Sequence, residues 1–183
     1  MANEHREPRR AAPGVLLAGL SILCSGAAAL LILLHRPAWG GAAAIASAAL
    51  QGIAAAAGAQ TGRSRLAWGA GGPLADSAVL APVAWVYRMS ESGIAELALV
   101  TLGVCLVSSY ERARGLALGY PTKAMWGLRL VRQAAVGIGV MAGGGALRAA
   151  LWIALAIATA SLIVRAAGVA QGAASSREAR RGA

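Results

Sequence analysis

The sequence predicts an all-α, polytopic membrane protein of six transmembrane helices with both termini in the cytoplasm. Three observations carry that expectation. The 183 residues are 58% hydrophobic and only 13% charged, with a mean hydropathy of +0.63, and a soluble domain of this length needs a more polar surface. The apolar residues gather into six long runs that leave no polar face for water. The basic residues between the runs alternate in number from one side to the other.

Residues 14–34 form the first run, 21 residues without a charge. At about 1.5 Å per residue it covers roughly the 30 Å hydrocarbon core. It exceeds a signal-peptide core and further runs follow, so it reads as a retained span. Leu23 before Cys24 also argues against a lipoprotein cleavage site. His35, Arg36 and Pro37 break the run. A second covers about 38–60, followed by TGRSR, and a third covers about 72–88 and ends at Tyr87 and Arg88. The fourth covers about 92–110, the fifth about 130–146 and the sixth about 149–170. The transmembrane domain is thus residues 14–170, with 1–13 and 171–183 expected to be disordered, solvated cytosolic tails.

With six spans, 14 of the 17 Lys and Arg residues share a side with both termini and with the segment 111–129, which places that side in the cytoplasm. Arg36, Arg88 and Arg148 fall on the other side. The formal charge of +10 is spread over four segments rather than one stripe with stacking aromatics, which excludes a nucleic-acid surface. Attraction to anionic headgroups accounts for it. Cys24 and Cys105 show neither metal nor disulfide spacing, and His5 and His35 stand alone.

One carboxylate, Asp76, interrupts the third run. A charged side chain at a helix centre costs about 2.5 to 3.5 kcal/mol on insertion scales, so it is expected to face the bundle interior, about one turn inside the cytoplasmic interface. An ion or substrate site and a packing role both stay open for it. After the fourth run, SSYERARGLALGY sets Ser108, Ser109 and Tyr110 ahead of Arg112 and Arg114, and Arg129 and Arg132 follow at i, i+3. Guanidinium groups converging at a membrane surface suit phosphate, because the planar fork binds two oxygens together. Taken singly, each reads first as an ordinary positive-inside anchor, and the four together around the polar SSY segment narrow that difference. Gly139 and Gly143 offer a small-xxx-small face for helix pairing.

On these motifs the chain resembles the CDP-alcohol phosphatidyltransferases, most closely the phosphatidylinositol phosphate synthase branch of actinobacteria. SSYERARGLALGY looks like that branch's S-Y-x-[KR]-A-R-A-x-x-x-G segment, and the R-x-x-R of Arg129 and Arg132 looks like its E-R-P-x-R segment without Glu and Pro. TGRSR followed by GGPLADS is similar to the stretch between the family's acidic pairs. The resemblance implies a D-x-x-D-G-x-x-A-R and G-x-x-x-D-x-x-x-D motif that holds two divalent metals, Mg or Mn, with the last Asp as base. Set on this chain, Gly52, Gly72 and Asp76 match, while Ala48, Gln51 and Leu80 stand where three aspartates belong and Ala56 stands for the arginine. The remaining acids are Glu4, Glu7, Glu91, Glu96, Glu111 and Glu178.

Two adjacent divalent ions need several hard oxygen ligands and bridging carboxylates, which one Asp cannot supply. The expectation is therefore a catalytically degenerate relative that needs no cofactor and binds lipid or phosphate through Arg112, Arg114, Arg129 and Arg132. It would serve as an accessory or partner subunit in phospholipid biosynthesis, as a homodimer or with an active homologue, in a bacterial inner membrane. One alternative is an active transferase moving a phosphatidyl group from CDP-diacylglycerol to a small alcohol with Mg or Mn. Another is a small transporter, although no inverted repeat is visible.

Overall fold

The computed structural model describes residues 8–56, 64–119 and 126–181, which form six helices and, among the described residues, no strand. They are α1 (Pro8–Leu33), α2 (Pro37–Ala56), α3 (Ser64–Tyr87), α4 (Ser92–Ala117), α5 (Trp126–Ala142) and α6 (Gly144–Arg181). Proline opens α1 and α2, where the missing N–H costs nothing and the fixed φ suits the helix.

Three tight turns fold the chain into hairpins. Between α1 and α2, the Arg36 N–H donates to the Leu31 carbonyl at 2.8 Å and the His35 N–H to Ile32 at 3.0 Å. This is the paired bonding of a Schellman stop, with His35 at φ 55° in the position glycine usually takes. Gly143 and Gly144, at φ 71° and 46°, turn α5 into α6, a conformation costly to residues with a Cβ. These turns and the α3–α4 turn lie at one end of the bundle, the turn end. The start of α1, the end of α2, the starts of α3 and α5 and the ends of α4 and α6 lie at the other, the loop end. The hairpins close a ring in which α1 packs on α2, α2 on α5, α5 on α6, α6 on α4, α4 on α3 and α3 on α1, while α3 and α5 touch across it.

Four helices hold segments long and apolar enough to cross a membrane: Leu16–Leu33, Pro37–Ala56, Ser92–Ala117 and Gly144–Gln171. The other two carry the charges discussed below. α3 contains Asp76, Pro73 and Pro82, and α5 has only 17 residues, with Arg129 and Arg132 near its start. Every helix turns large apolar side chains outward, among them Leu23, Ile53, Leu74, Leu99, Ile138 and Ile163. So large an apolar exterior fits lipid and not water. Trp39, Trp85 and Trp152 are exposed at the turn end, where Arg88 stacks on Trp85 at 3.6 Å, as interfacial aromatics do.

Small residues bring the helices close. A Cβ on Gly41 would strike the Gly137 carbonyl and Met141, and one on Gly137 would lie 3.0 Å from the Gly41 carbonyl, so α2 and α5 cross backbone to backbone. Between α1 and α2, the Ser25 and Ser47 hydroxyls share a 2.7 Å hydrogen bond, and Ser47 also lies 2.9 Å from the Ser21 carbonyl.

Helix boundaries differ from the sequence reading. α1 begins at Pro8, inside the stretch 1–13 expected to be a disordered tail. α3 begins at Ser64 rather than near 72, so Asp76 lies 12 residues, about 18 Å, into its helix instead of one turn from the end. α4 runs on to Ala117, so Arg112 and Arg114 are helical and not in a loop. α6 continues to Arg181, through the stretch expected to be a disordered tail. Its Ala, Gln, Glu and Arg are strong helix formers, which outweighs the loss of apolar character there. The small-xxx-small face is also used within the chain, because a Cβ on Gly139 would stand 2.5 Å from Ala150 Cβ of α6. Gly139 is therefore engaged within the chain, while a Cβ on Gly143 would meet nothing within 4 Å.

Candidate functional site

α3 and α5 both start at the loop end and run in parallel, which sets Asp76 beside the first turns of α5. Asp76 is 4% exposed. The Arg132 guanidinium donates to its Oδ2 at 2.6 Å, and Arg129 reaches the same oxygen at 3.4 Å. The i, i+3 spacing puts both arginines on the inward face of α5. One turn before Asp76, Gly72 provides the space that Arg129 occupies. A Cβ there would overlap the guanidinium, lying 2.7 Å from its Cζ.

α4 and α6 complete the surroundings. They also run in parallel, and Arg165 of α6 donates from Nη1 to the Ser108 carbonyl at 3.0 Å and to its hydroxyl at 2.8 Å. Arg112 of α4 lies within electrostatic range of both Arg129 and Arg165. Four guanidinium groups thus gather toward the loop end with one described carboxylate paired among them. Donor capacity is left over: the Nε atoms of Arg129 and Arg165 are buried and bond to nothing. Buried donors without acceptors are costly, and an acceptor entering the cluster would remove that cost.

Beneath the ion pairs is a small cleft lined by Asp76, Val79, Leu80, Thr101, Arg132, Gln133 and Val136. Gln133 is 6% exposed and its Oε1 accepts no hydrogen bond. Past the cleft toward the turn end, Val83, Ile94, Leu147 and Leu151 are fully buried and close the bundle with apolar contacts. The polar groups of the cleft thus lie on the loop-end side of this apolar packing.

Of the residues singled out in the sequence, Gly72, Asp76, Arg129 and Arg132 come together, with Arg112 nearby. Arg114 does not join them and is exposed. Gly52 packs against Leu130, 2.8 Å from where its Cβ would stand, and serves the α2–α5 seam. Arg165, Ser108 and Gln133 were not marked as a site by sequence reasoning. Arg165 left a usable signal: a lone arginine continues the α6 stripe of Leu147, Leu151, Ala154, Ala158 and Ser161, all of which are buried.

The residues present do not fit the two divalent metals that the family resemblance implies. Asp76 already has two guanidinium partners. Leu80, one turn further along α3, is an apolar wall of the cleft, Ala48 is buried, and Gln51 donates to Ser47 at 3.2 Å. Among the described residues no three His, Cys, Asp or Glu side chains group as a metal site. The chemistry offered is cationic hydrogen-bond donation. No family model, curated protein or solved structure matches the chain.

Proposed function

We propose that the protein is a six-span integral membrane protein that binds a phosphate group, as a lipid headgroup or a free anion, without performing phosphatidyl transfer. The observation that carries this reading is the imbalance at the loop end. Arg112, Arg129, Arg132 and Arg165 converge there, among the described residues only Asp76 pairs with any of them, and two buried guanidinium nitrogens lack acceptors. Guanidinium forks match phosphate oxygens, and a low-dielectric recess strengthens such contacts.

The membrane topology belongs to the same reading. Arg36, Arg88 and Arg148 are at the turn end, and this charge split supports reading that end as external, with the arginine cluster, both termini and the 111–129 segment cytoplasmic. The remaining likeness to CDP-alcohol phosphatidyltransferases suggests an accessory role in phospholipid biosynthesis in a bacterial inner membrane, alone, as a homodimer or beside an active homologue. The apolar packing at Val83, Ile94, Leu147 and Leu151 offers no polar groups to a solute there, which favours binding over transport.

The test uses purified protein in nanodiscs, free of host synthases. Phosphate and phosphatidic acid are titrated, and transfer of radiolabel from CDP-diacylglycerol to inositol phosphate, glycerol phosphate or serine is assayed with Mg²⁺ and Mn²⁺. Binding without transfer is expected. Metal-dependent turnover abolished by Asp76→Asn would establish the transferase alternative instead.

A further inference from the structure

We infer that Asp76 is a built-in competitor for the arginine cluster: its carboxylate occupies the anion position, and an incoming phosphate binds by taking Arg129 from it. The inference rests on the phosphate-binding reading and assigns Asp76 the opposite role from a ligand or base, since removing it should tighten binding.

The two contacts are unequal. Arg132 holds Oδ2 at 2.6 Å with its side chain 9% exposed, whereas Arg129 holds the same atom at 3.4 Å with its side chain 23% exposed. Arg132 is the fixed partner and Arg129 the releasable one. Arg129 also carries the buried, unbonded Nε, so its present pose leaves one of its donors without an acceptor. A phosphate with three or four oxygens can engage more of that fork than a carboxylate already held by Arg132. The notch at Gly72 lets the guanidinium rest against α3 without displacing that helix.

The arrangement also explains how the site tolerates being empty. Buried cations without counter-charge are strongly unfavourable in a membrane. Asp76 neutralises part of the cluster until a ligand arrives, at the expense of affinity. A phosphate-bearing molecule must therefore bring more than the single charge it replaces, which favours phosphate monoesters over diesters. Lipid and soluble sources share this chemistry.

The experiment compares wild type, Asp76→Asn and Gly72→Ala in nanodiscs of phosphatidylcholine, titrated with inorganic phosphate, and in nanodiscs doped with phosphatidic acid. Asp76→Asn is expected to bind about tenfold tighter than wild type, the scale of one charge-assisted hydrogen bond. Gly72→Ala, which denies Arg129 its resting place but keeps Asp76 and Arg132, should tighten binding by a smaller factor, about threefold on the same scale. Tightening for phosphatidic acid alone identifies a lipid source, and tightening for both identifies the phosphate group itself. Recovery of folded Asp76→Asn only in phosphate buffer would support the exchange directly, since the anion then replaces the missing carboxylate. If that variant is not recovered at all, Gly72→Ala decides. Binding by wild type that is unchanged or weakened in the variants overturns the inference and leaves the binding site standing. No binding by any of the three overturns the phosphate reading itself.

Discussion

Toward the turn end the helices meet through Val83, Ile94, Leu147 and Leu151, all fully buried, whereas toward the loop end they meet around Asp76, Arg132, Arg129 and Arg165. Both regions sit in one bundle, and both are held by helices whose outer faces are apolar. In lipid the first kind of contact gains from close packing alone, helped by glycine crossings such as Gly41 on Gly137. The second kind begins with a desolvation penalty and recovers it only through well-placed partners. A fold needing stability alone could be apolar throughout. On the proposed reading, the difference between the halves reflects a binding site at the loop end.

The comparison can be broken most severely at Arg132. Arg132→Ala leaves Asp76 with Arg129 alone at 3.4 Å, and removing one partner of a buried pair typically costs about 3 to 5 kcal/mol. Thermal unfolding in detergent micelles would register the loss, and phosphate titration of any folded fraction should show weakened binding. In the apolar half, Leu151→Ala should cost about 3 kcal/mol by opening a cavity. There, however, phosphate affinity of the folded protein stays at the wild-type value, which separates packing from site. The smallest effect is at the α1–α2 turn, where His35→Gly should raise stability by about 1 kcal/mol by relieving a left-handed residue. Its melting temperature should rise with no change in binding.

The helical class was legible because uninterrupted apolar runs allow little else, and Asp76 was legible because a carboxylate in such a run must turn inward. Helix ends were less so. Nothing in the hydropathy of residues 64–71 or 111–117 separates a helix that outlasts its apolar stretch from a loop, yet Ala, Arg and Leu carry the helix on. The pairing of Asp76 with Arg132 could not be read either, because it depends on α3 and α5 meeting across the ring, which no local pattern encodes. Gly139 shows the same limit from the other side: its motif signals close approach to a helix, and only the fold identifies that helix as α6.

The central claim is that phosphate binding belongs to the loop-end arginines and not to basic charge in general. The most direct test titrates inorganic phosphate against wild type and two double variants matched in charge, in phosphatidylcholine nanodiscs. One carries Arg112→Gln with Arg165→Gln, at the loop end. The other carries Arg36→Gln with Arg88→Gln, at the turn end, where both arginines are exposed. The account predicts that the first pair weakens binding by about tenfold or more, on the scale of a lost charge-assisted contact, and that the second leaves it unchanged. Equal weakening by both pairs, or none by the first, would contradict it.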